Sequence, residues 1–167
     1  MAVHPSDTAP ALIALNAKIK TSSRTIDAGE FFEVKPVKTT VLKADEIVSE
    51  IQIPKPVAGT KSAFLKFAQR RAIDFPIVNC AAAVTMSGEK VTAARICLNA
   101  VAVVPYRAEQ AEKVIIGKSV NEAIAEEAGM AAVATAKPLE HNKYMVAVAK
   151  TIVKRCLLAC VGNIKYE

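Results

Sequence analysis

Residues 61–69 read KSAFLKFAQ, and their alternation predicts a strand that places Leu65 and Lys66 on opposite faces. The next two apolar stretches, residues 79–86 and 90–104, predict a hairpin that turns at a serine, a glycine and a glutamate. Because consecutive strands with short connections usually pair, we expect these segments to form a three-stranded antiparallel sheet.

Three helices are expected to follow the sheet. Residues 109–116 predict a short helix that ends before a glycine. A capping box at 119–122 predicts the start of a second helix, and residues 143–161 have the periodic apolar face of a third. Three strands followed by three helices indicate the α+β class.

The first third of the chain predicts a smaller unit. A helix capped by Ser6 or Asp7 is expected to run through residue 15, and short strands follow it. Residues 47–53 alternate as a further strand, and a linker with two prolines and a glycine comes next. We therefore predict two domains, residues 1–56 and residues 57–167.

Composition and charge limit the classes of function. The hydrophobic content of 52% is enough for a packed core and excludes a disordered chain. The net charge of +6 comes from scattered residues without the aromatic spacing of an RNA-binding surface, so we expect no nucleic-acid partner. No apolar run reaches transmembrane length and no signal-peptide region is visible, so we expect a cytoplasmic protein without membrane contact.

The cysteines and histidines predict no metal site. The four cysteines form no C-x-x-C pair, and Cys156 and Cys160 lie four positions apart on a predicted helix, where core packing is the expected role. His4 lies near the N-terminus, and His141 precedes a helix, where an exposed or capping role is expected. With no nucleophile motif or phosphate loop in the sequence, we predict no catalytic residue in this chain.

A few charged residues could instead bind a cofactor. Asp7 combines a carboxylate with the free N–H groups of a helix start, although a simple N-cap role explains it as well. Lys66 is a cation on a strand, and the alternative is a solvated lysine. Arg70, Arg71 and Asp74 follow that strand, and a surface ion-pair cluster is the favoured interpretation.

Several segments together resemble one family, the FAD-binding (medium) subunit of the molybdenum hydroxylases, which include xanthine dehydrogenase and carbon monoxide dehydrogenase. The resemblance covers nearly the whole chain in the family's order. The segments that carry it are the helix from Asp7 through residue 17, Phe31-Phe32, residues 45–54, the strand and cluster at 64–74, and residues 139–157.

The resemblance implies a FAD site with four residues of this chain. Asp7 would contact the ribityl or isoalloxazine part of FAD, and the backbone around Ile47 and Val48 would wall the flavin. Lys66 would lie near the pyrimidine side, where a cation favours the reduced, anionic flavin and raises its reduction potential.

The resemblance also implies partners. The family transfers electrons from a molybdenum cofactor through [2Fe–2S] clusters to FAD and then to NAD or another acceptor, with the metal centres on other subunits or domains. The family's N-terminal FAD subdomain and glycine-rich diphosphate loop have no counterpart in this sequence. We therefore expect an incomplete FAD site, in a xanthine dehydrogenase-like subunit that is not active alone.

Two other functions stay open from the sequence. The chain could be a non-catalytic assembly or interaction module that has lost FAD binding. It could also be a basic nucleic-acid binder, whose affinity would fall steeply with salt. The substrate of the complex, its electron acceptor and its oligomeric state are not encoded in the motifs of this chain, although the final helix favours a purine substrate.

Overall fold

The computed structural model describes residues 5–36 and 38–162, and it has the α+β architecture expected from the sequence. In chain order the elements are α1 (Thr8–Ala14), β1 (Lys18–Thr21), β2 (Thr25–Asp27), a 3-10 turn (Ala28–Glu30), β3 (Phe32–Lys35), β4 (Lys38–Thr40), β5 (Val48–Gln52), β6 (Thr60–Phe67), β7 (Val78–Ser87), β8 (Lys90–Asn99), β9 (Tyr106–Arg107), α2 (Glu109–Ile115), α3 (Glu122–Val133) and α4 (Tyr144–Cys160).

The main sheet is antiparallel, with the strand order β6-β7-β8-β9. The three long strands are those predicted, and the two-residue β9, which the sequence analysis missed, adds a fourth at the edge. The prediction that β8 continues to residue 104 was wrong. Ala100 adopts a φ of 64°, in the left-handed region that strands do not use, so β8 ends at Asn99.

Helices α2 and α4 pack on one face of this sheet, and α3 packs against both of them. The core between them consists of small aliphatic residues, and the largest buried side chains include Ile96, Leu98, Ile115 and Leu157. The backbones of α3 and α4 approach closely at Gly129, where a Cβ atom would lie 2.6 Å from the Lys150 carbonyl oxygen. Glycine at this position therefore permits the contact between the two helices.

Ion pairs between lysines of α4 and glutamates of α3 connect the two helices. Lys154 Nζ lies 2.5 Å from Glu122 and 3.0 Å from Glu126, and Lys150 Nζ lies 2.8 Å from Glu126. Lys150 and Lys154 of α4 thus meet acidic partners on α3.

The predicted capping box at the start of α3 was wrong in its capping residue. The N-cap is Asn121, whose Oδ1 accepts a hydrogen bond of 2.9 Å from the Ile124 N–H. An asparagine placed directly before the helix satisfies a free N–H without a serine farther upstream.

Helix α1, from the first part of the chain, packs on the opposite face of the main sheet against β7 and β8. Ile13 of α1 and Ile19 of β1 are buried in one cluster with Cys97 of β8. Strands β2, β1 and β5 form a small antiparallel sheet, and β3 pairs with β4 in a hairpin that the sequence analysis missed. This cluster contains residues of both predicted domains. The division of the chain between residues 56 and 57 therefore stays a prediction.

Among the described residues, no helix combines the length and the apolarity that crossing a membrane requires.

Candidate functional site

Asp7 and Lys66, two of the four predicted cofactor-binding residues, form an ion pair. Lys66 Nζ lies 2.6 Å from Asp7 Oδ2, although the residues are 59 positions apart in the sequence. The Lys66 side chain is 27% exposed and the Asp7 side chain 45%, so a ligand could reach the pair. The pair also joins the two predicted domains, because each partner comes from a different one.

A second bond orients the Lys66 ammonium. It donates to the backbone oxygen of Asp74 at 2.6 Å, in the loop after β6. The Asp74 carboxylate accepts the Arg70 N–H at 2.8 Å, and this donation holds the pKa of Asp74 below its ordinary value. The predicted ion-pair cluster is confirmed for Arg70 and Asp74, whose contact fixes the loop that positions the carbonyl, whereas Arg71 makes no ion pair with the described residues.

Two buried asparagines that the sequence analysis did not single out complete the arrangement. Lys66 lies opposite Asn79 on β7, and Asn79 lies opposite Asn99 on β8. Directly opposed residues of antiparallel strands share a face, so Lys66, Asn79 and Asn99 form a polar row across the sheet. Both asparagines have no exposed surface. The sequence feature that could have identified them is a single asparagine near one end of each apolar strand, Asn79 near the start of β7 and Asn99 at the end of β8.

The polar row binds the residues that precede α1. Asn79 Nδ2 donates to Asp7 Oδ1 at 2.9 Å and to the Ser6 carbonyl oxygen at 3.2 Å. Asn99 Nδ2 donates to the same Ser6 oxygen at 2.6 Å. The two amides therefore fix Ser6 and Asp7 against the sheet.

The cap of α1 comes from Ser6 and not from the Asp7 side chain. Ser6 Oγ accepts the Ala9 N–H at 3.1 Å, while Asp7 makes no side-chain cap bond. Asp7 therefore occupies the predicted N-cap position, but the side chain that caps the helix is that of Ser6, the other predicted candidate. The Asp7 carboxylate is available for Lys66 and Asn79 because the serine satisfies the helix.

Ile47 and Val48 lie on a different part of the chain, around the start of β5. The Ile47 carbonyl oxygen accepts the Ser22 N–H at 2.9 Å, and the Ile47 N–H donates to Ser22 Oγ at 3.4 Å. The side chains of Ile47 and Val48 are 70% and 41% exposed. Since both backbone groups of Ile47 are engaged, a ligand at this position would meet mainly apolar side chains.

A buried carboxylate fixes the segment before Ile47. Glu46 accepts hydrogen bonds from the hydroxyls of Thr21 and Ser23, from the Arg24 guanidinium and from the Lys43 N–H. The Arg24 bond, followed by that of Thr21, holds the pKa of Glu46 well below its ordinary value. Glu46 thus connects the turn between β1 and β2 to the segment that leads into β5.

No group of three histidine, cysteine or acidic side chains in the described part of the chain could bind a metal ion. All four cysteines are free and buried, which confirms core packing for Cys156 and Cys160. A hydrogen bond with Cys156, together with burial, raises the pKa of the Cys80 thiol. His141 is 93% exposed in its side chain, and His4 lies outside the described residues.

The arrangement fits one portion of a flavin nucleotide. A lysine ammonium has three N–H donors, and the bonds to Asp7 and Asp74 occupy two of them. A carboxylate accepts hydroxyl donors, and the Asp7 side chain is exposed enough for a ligand hydroxyl to reach it. A diphosphate needs clustered N–H donors, and the six glycines of the chain stand apart from one another.

Two protein-family models match the sequence in succession. The FAD binding domain in molybdopterin dehydrogenase matches residues 1–56, and the CO dehydrogenase flavoprotein C-terminal domain matches residues 63–160.

Individual relatives agree with these models. The chain is 32% identical to the carbon monoxide dehydrogenase medium chain of Hydrogenophaga pseudoflava, over 93% of this chain and 56% of that relative. It is 34% identical to the glyceraldehyde dehydrogenase medium chain of Sulfolobus acidocaldarius, over 70% of this chain and 42% of that relative. The chain thus spans about half the length of the curated relatives it matches.

Solved structures have the same fold. Carbon monoxide dehydrogenase from H. pseudoflava superposes with a TM-score of 0.86 at 31% identity, covering 96% of this chain and 58% of that chain. Quinoline 2-oxidoreductase from Pseudomonas putida 86 superposes with a TM-score of 0.85 at 26% identity, covering 98% of this chain and 59% of that one.

Proposed function

The chain belongs to the family of FAD-binding medium subunits of molybdenum hydroxylases, and from this premise we propose that it forms the flavin-facing part of a FAD site in an oxidoreductase complex. The residues proposed to bind FAD are Asp7, Ile47, Val48 and Lys66. The remaining contacts, above all those to the diphosphate, would come from polypeptide outside this sequence.

The observation that carries the proposal is the Asp7–Lys66 pair. Two of the residues assigned to FAD by family resemblance are far apart in the sequence, and they meet at 2.6 Å on an accessible part of the molecule. A plain surface ion pair would not need the buried Asn79 amide, which donates to the Asp7 carboxylate. An elaborately supported but accessible pair of opposite charges favours a ligand-binding role.

The two charges act in opposite directions on a bound flavin. The Lys66 ammonium stabilises the reduced, anionic form and so raises the reduction potential. The Asp7 carboxylate, 2.6 Å from the ammonium, offsets part of this effect. The chain would therefore set the flavin reduction potential through the difference between the effects of Lys66 and Asp7. FAD itself supplies the electron-transfer chemistry.

The proposed complex includes subunits with a molybdenum cofactor and [2Fe–2S] clusters. Electrons would pass from the clusters to FAD and then to NAD or another acceptor. The relatives are named for carbon monoxide, glyceraldehyde and quinoline, so the substrate varies among similar chains. A xanthine dehydrogenase-like complex with a purine substrate remains our proposal from the final helix. A cytoplasmic location is supported by four cysteines that are all free and buried.

The test replaces Lys66 in the FAD-loaded complex and measures the flavin midpoint potential by spectroelectrochemistry. Lys66→Ala is expected to lower the potential, by about 30 mV for each tenfold loss of preference for the reduced form in a two-electron couple. Lys61→Ala is the matched control, because Lys61 is an exposed lysine of the same strand on the opposite face. Equal potentials in the wild type and Lys66→Ala would remove Lys66 from the site.

A second candidate function is the docking of a partner subunit without FAD. Two apolar side chains in the loop after β6 favour it, because Ile73 is 94% exposed and Phe75 is 71% exposed. Neighbouring exposed apolar side chains are a feature of surfaces that a partner covers. A purified complex in which the partner subunits bind this chain, but which contains no flavin, would support this candidate.

A further inference from the structure

Asn79 of the polar row makes a contact with Asp7 that the otherwise similar Asn99 does not make. Asn79 and Asn99 are both fully buried, both lie on the face of the sheet beneath α1, and both donate Nδ2 to the Ser6 carbonyl oxygen. Only Asn79 also donates to the Asp7 carboxylate, at 2.9 Å. Asn79 therefore contacts the Asp7–Lys66 pair, whereas Asn99, which is equally buried and also donates to Ser6, does not.

The orientation of both side-chain amides is fixed by Ser6. A flipped amide would place its Oδ1 against the Ser6 carbonyl oxygen, and two acceptors repel at hydrogen-bond distance. The observed orientation leaves Asn79 Oδ1 and Asn99 Oδ1 buried without a partner among the described residues.

The contacts of Asp7 divide between its two oxygens. Oδ1 accepts from Asn79 and Oδ2 accepts from Lys66, so the amide determines the plane of the carboxylate and hence its approach to the ammonium. Lys66 has a second anchor at the Asp74 carbonyl oxygen, 2.6 Å away. Loss of the Asn79 amide would therefore release Asp7 and leave Lys66 in place.

We propose that Asn79 is a positioning residue of the flavin site, because it holds the Asp7 carboxylate where that group offsets the charge of Lys66. This inference rests on the proposed function. Without the amide, Asp7 offsets less of the Lys66 charge, and the flavin potential rises. The shift is opposite in sign to that of Lys66→Ala, and general damage to the site would not produce this pair of signs.

The experiment compares Asn79→Ser with Asn99→Ser in the FAD-loaded complex. Both variants remove a buried amide that donates to Ser6, so their losses of thermal stability should be similar. Asn79→Ser is expected to shift the preference for reduced FAD about threefold to tenfold upward, about 15 to 30 mV for a two-electron couple. Asn99→Ser is expected to leave the potential at the wild-type value.

The outcomes separate this inference from the proposed function. A wild-type complex that contains no FAD would contradict the proposed function, and the inference would fail with it. A FAD-loaded wild type with equal potentials in the two asparagine variants would overturn the inference alone. If Asn79→Ser fails to fold, Asp7→Asn provides the second test, because it removes the carboxylate charge that offsets Lys66 and should raise the flavin potential; an unchanged or lowered potential would overturn the inference.

Discussion

Replacing Glu112 with alanine is expected to destabilise the protein by about 3 kcal/mol. Glu112 is a buried acid of α2, and its Oε1 accepts the N–H of Ile96 at 2.9 Å. The same carboxylate accepts two bonds from the Arg107 guanidinium, at 2.9 and 2.7 Å. The side chain therefore joins α2 to β8 and β9 at once.

The magnitude follows from these two contacts. The Ile96 N–H is buried in the core, and leaving such a donor unpaired costs about 1 to 3 kcal/mol. The Arg107 side chain is 38% exposed, so solvent screens its pair with Glu112 and we assign about 1 kcal/mol to it. For a domain of this size, a total near 3 kcal/mol lowers the melting temperature by about 6 to 12 °C.

The assay is urea unfolding followed by circular dichroism, with melting temperatures as a second measure. Glu109→Ala is the matched control, because Glu109 also pairs with Arg107 but is 62% exposed at a distance of 3.8 Å. Its expected cost is below about 0.5 kcal/mol. A Glu112→Ala variant as stable as Glu109→Ala would refute the reasoning, since it would show that the Ile96 N–H needs no protein acceptor.

Two further changes test the packing of α3 and the Glu46 contacts. Gly129→Ala should cost about 1 to 3 kcal/mol in urea unfolding, because its Cβ would lie 2.6 Å from a carbonyl oxygen, whereas Gly29→Ala meets no atom within 4 Å and should be near neutral. The folded-state pKa of Glu46 is depressed, so its contribution to stability is present above the unfolded pKa and is lost as the pH falls below about 4.5 toward the folded value. Glu46→Gln should flatten the fall in melting temperature between about pH 5 and pH 3, whereas the exposed Glu50→Gln should keep the wild-type slope; equal slopes in both variants would contradict the assignment.

The strands of the main sheet and the helices packed on it could be predicted because each buries one face, and the spacing of apolar residues along the sequence reflects that burial. The alternation in residues 61–69 reflects a strand with two different faces, and it placed Lys66 on the correct one. The end of β8 could not be predicted, since apolar residues continue past Asn99 while the backbone turns at Ala100. Side-chain polarity carries no information about that φ angle.

The candidate site was predicted only in part. Family resemblance identified Asp7 and Lys66, and the structure brings them together. Asn79 and Asn99 were missed because single asparagines near strand ends are read as turn residues, and only the register aligns them with Lys66. The sequence also did not predict that the Asp7 carboxylate contacts Lys66 and Asn79. That outcome depends on Ser6, whose side chain caps α1 in place of Asp7.

The most direct test of the account is an absorption spectrum, with native mass spectrometry, of this chain purified gently from its natural host. We expect flavin and iron–sulfur absorption bands, together with larger subunits that purify with the chain. A colourless chain without partners would contradict the proposed role in a FAD-containing oxidoreductase complex.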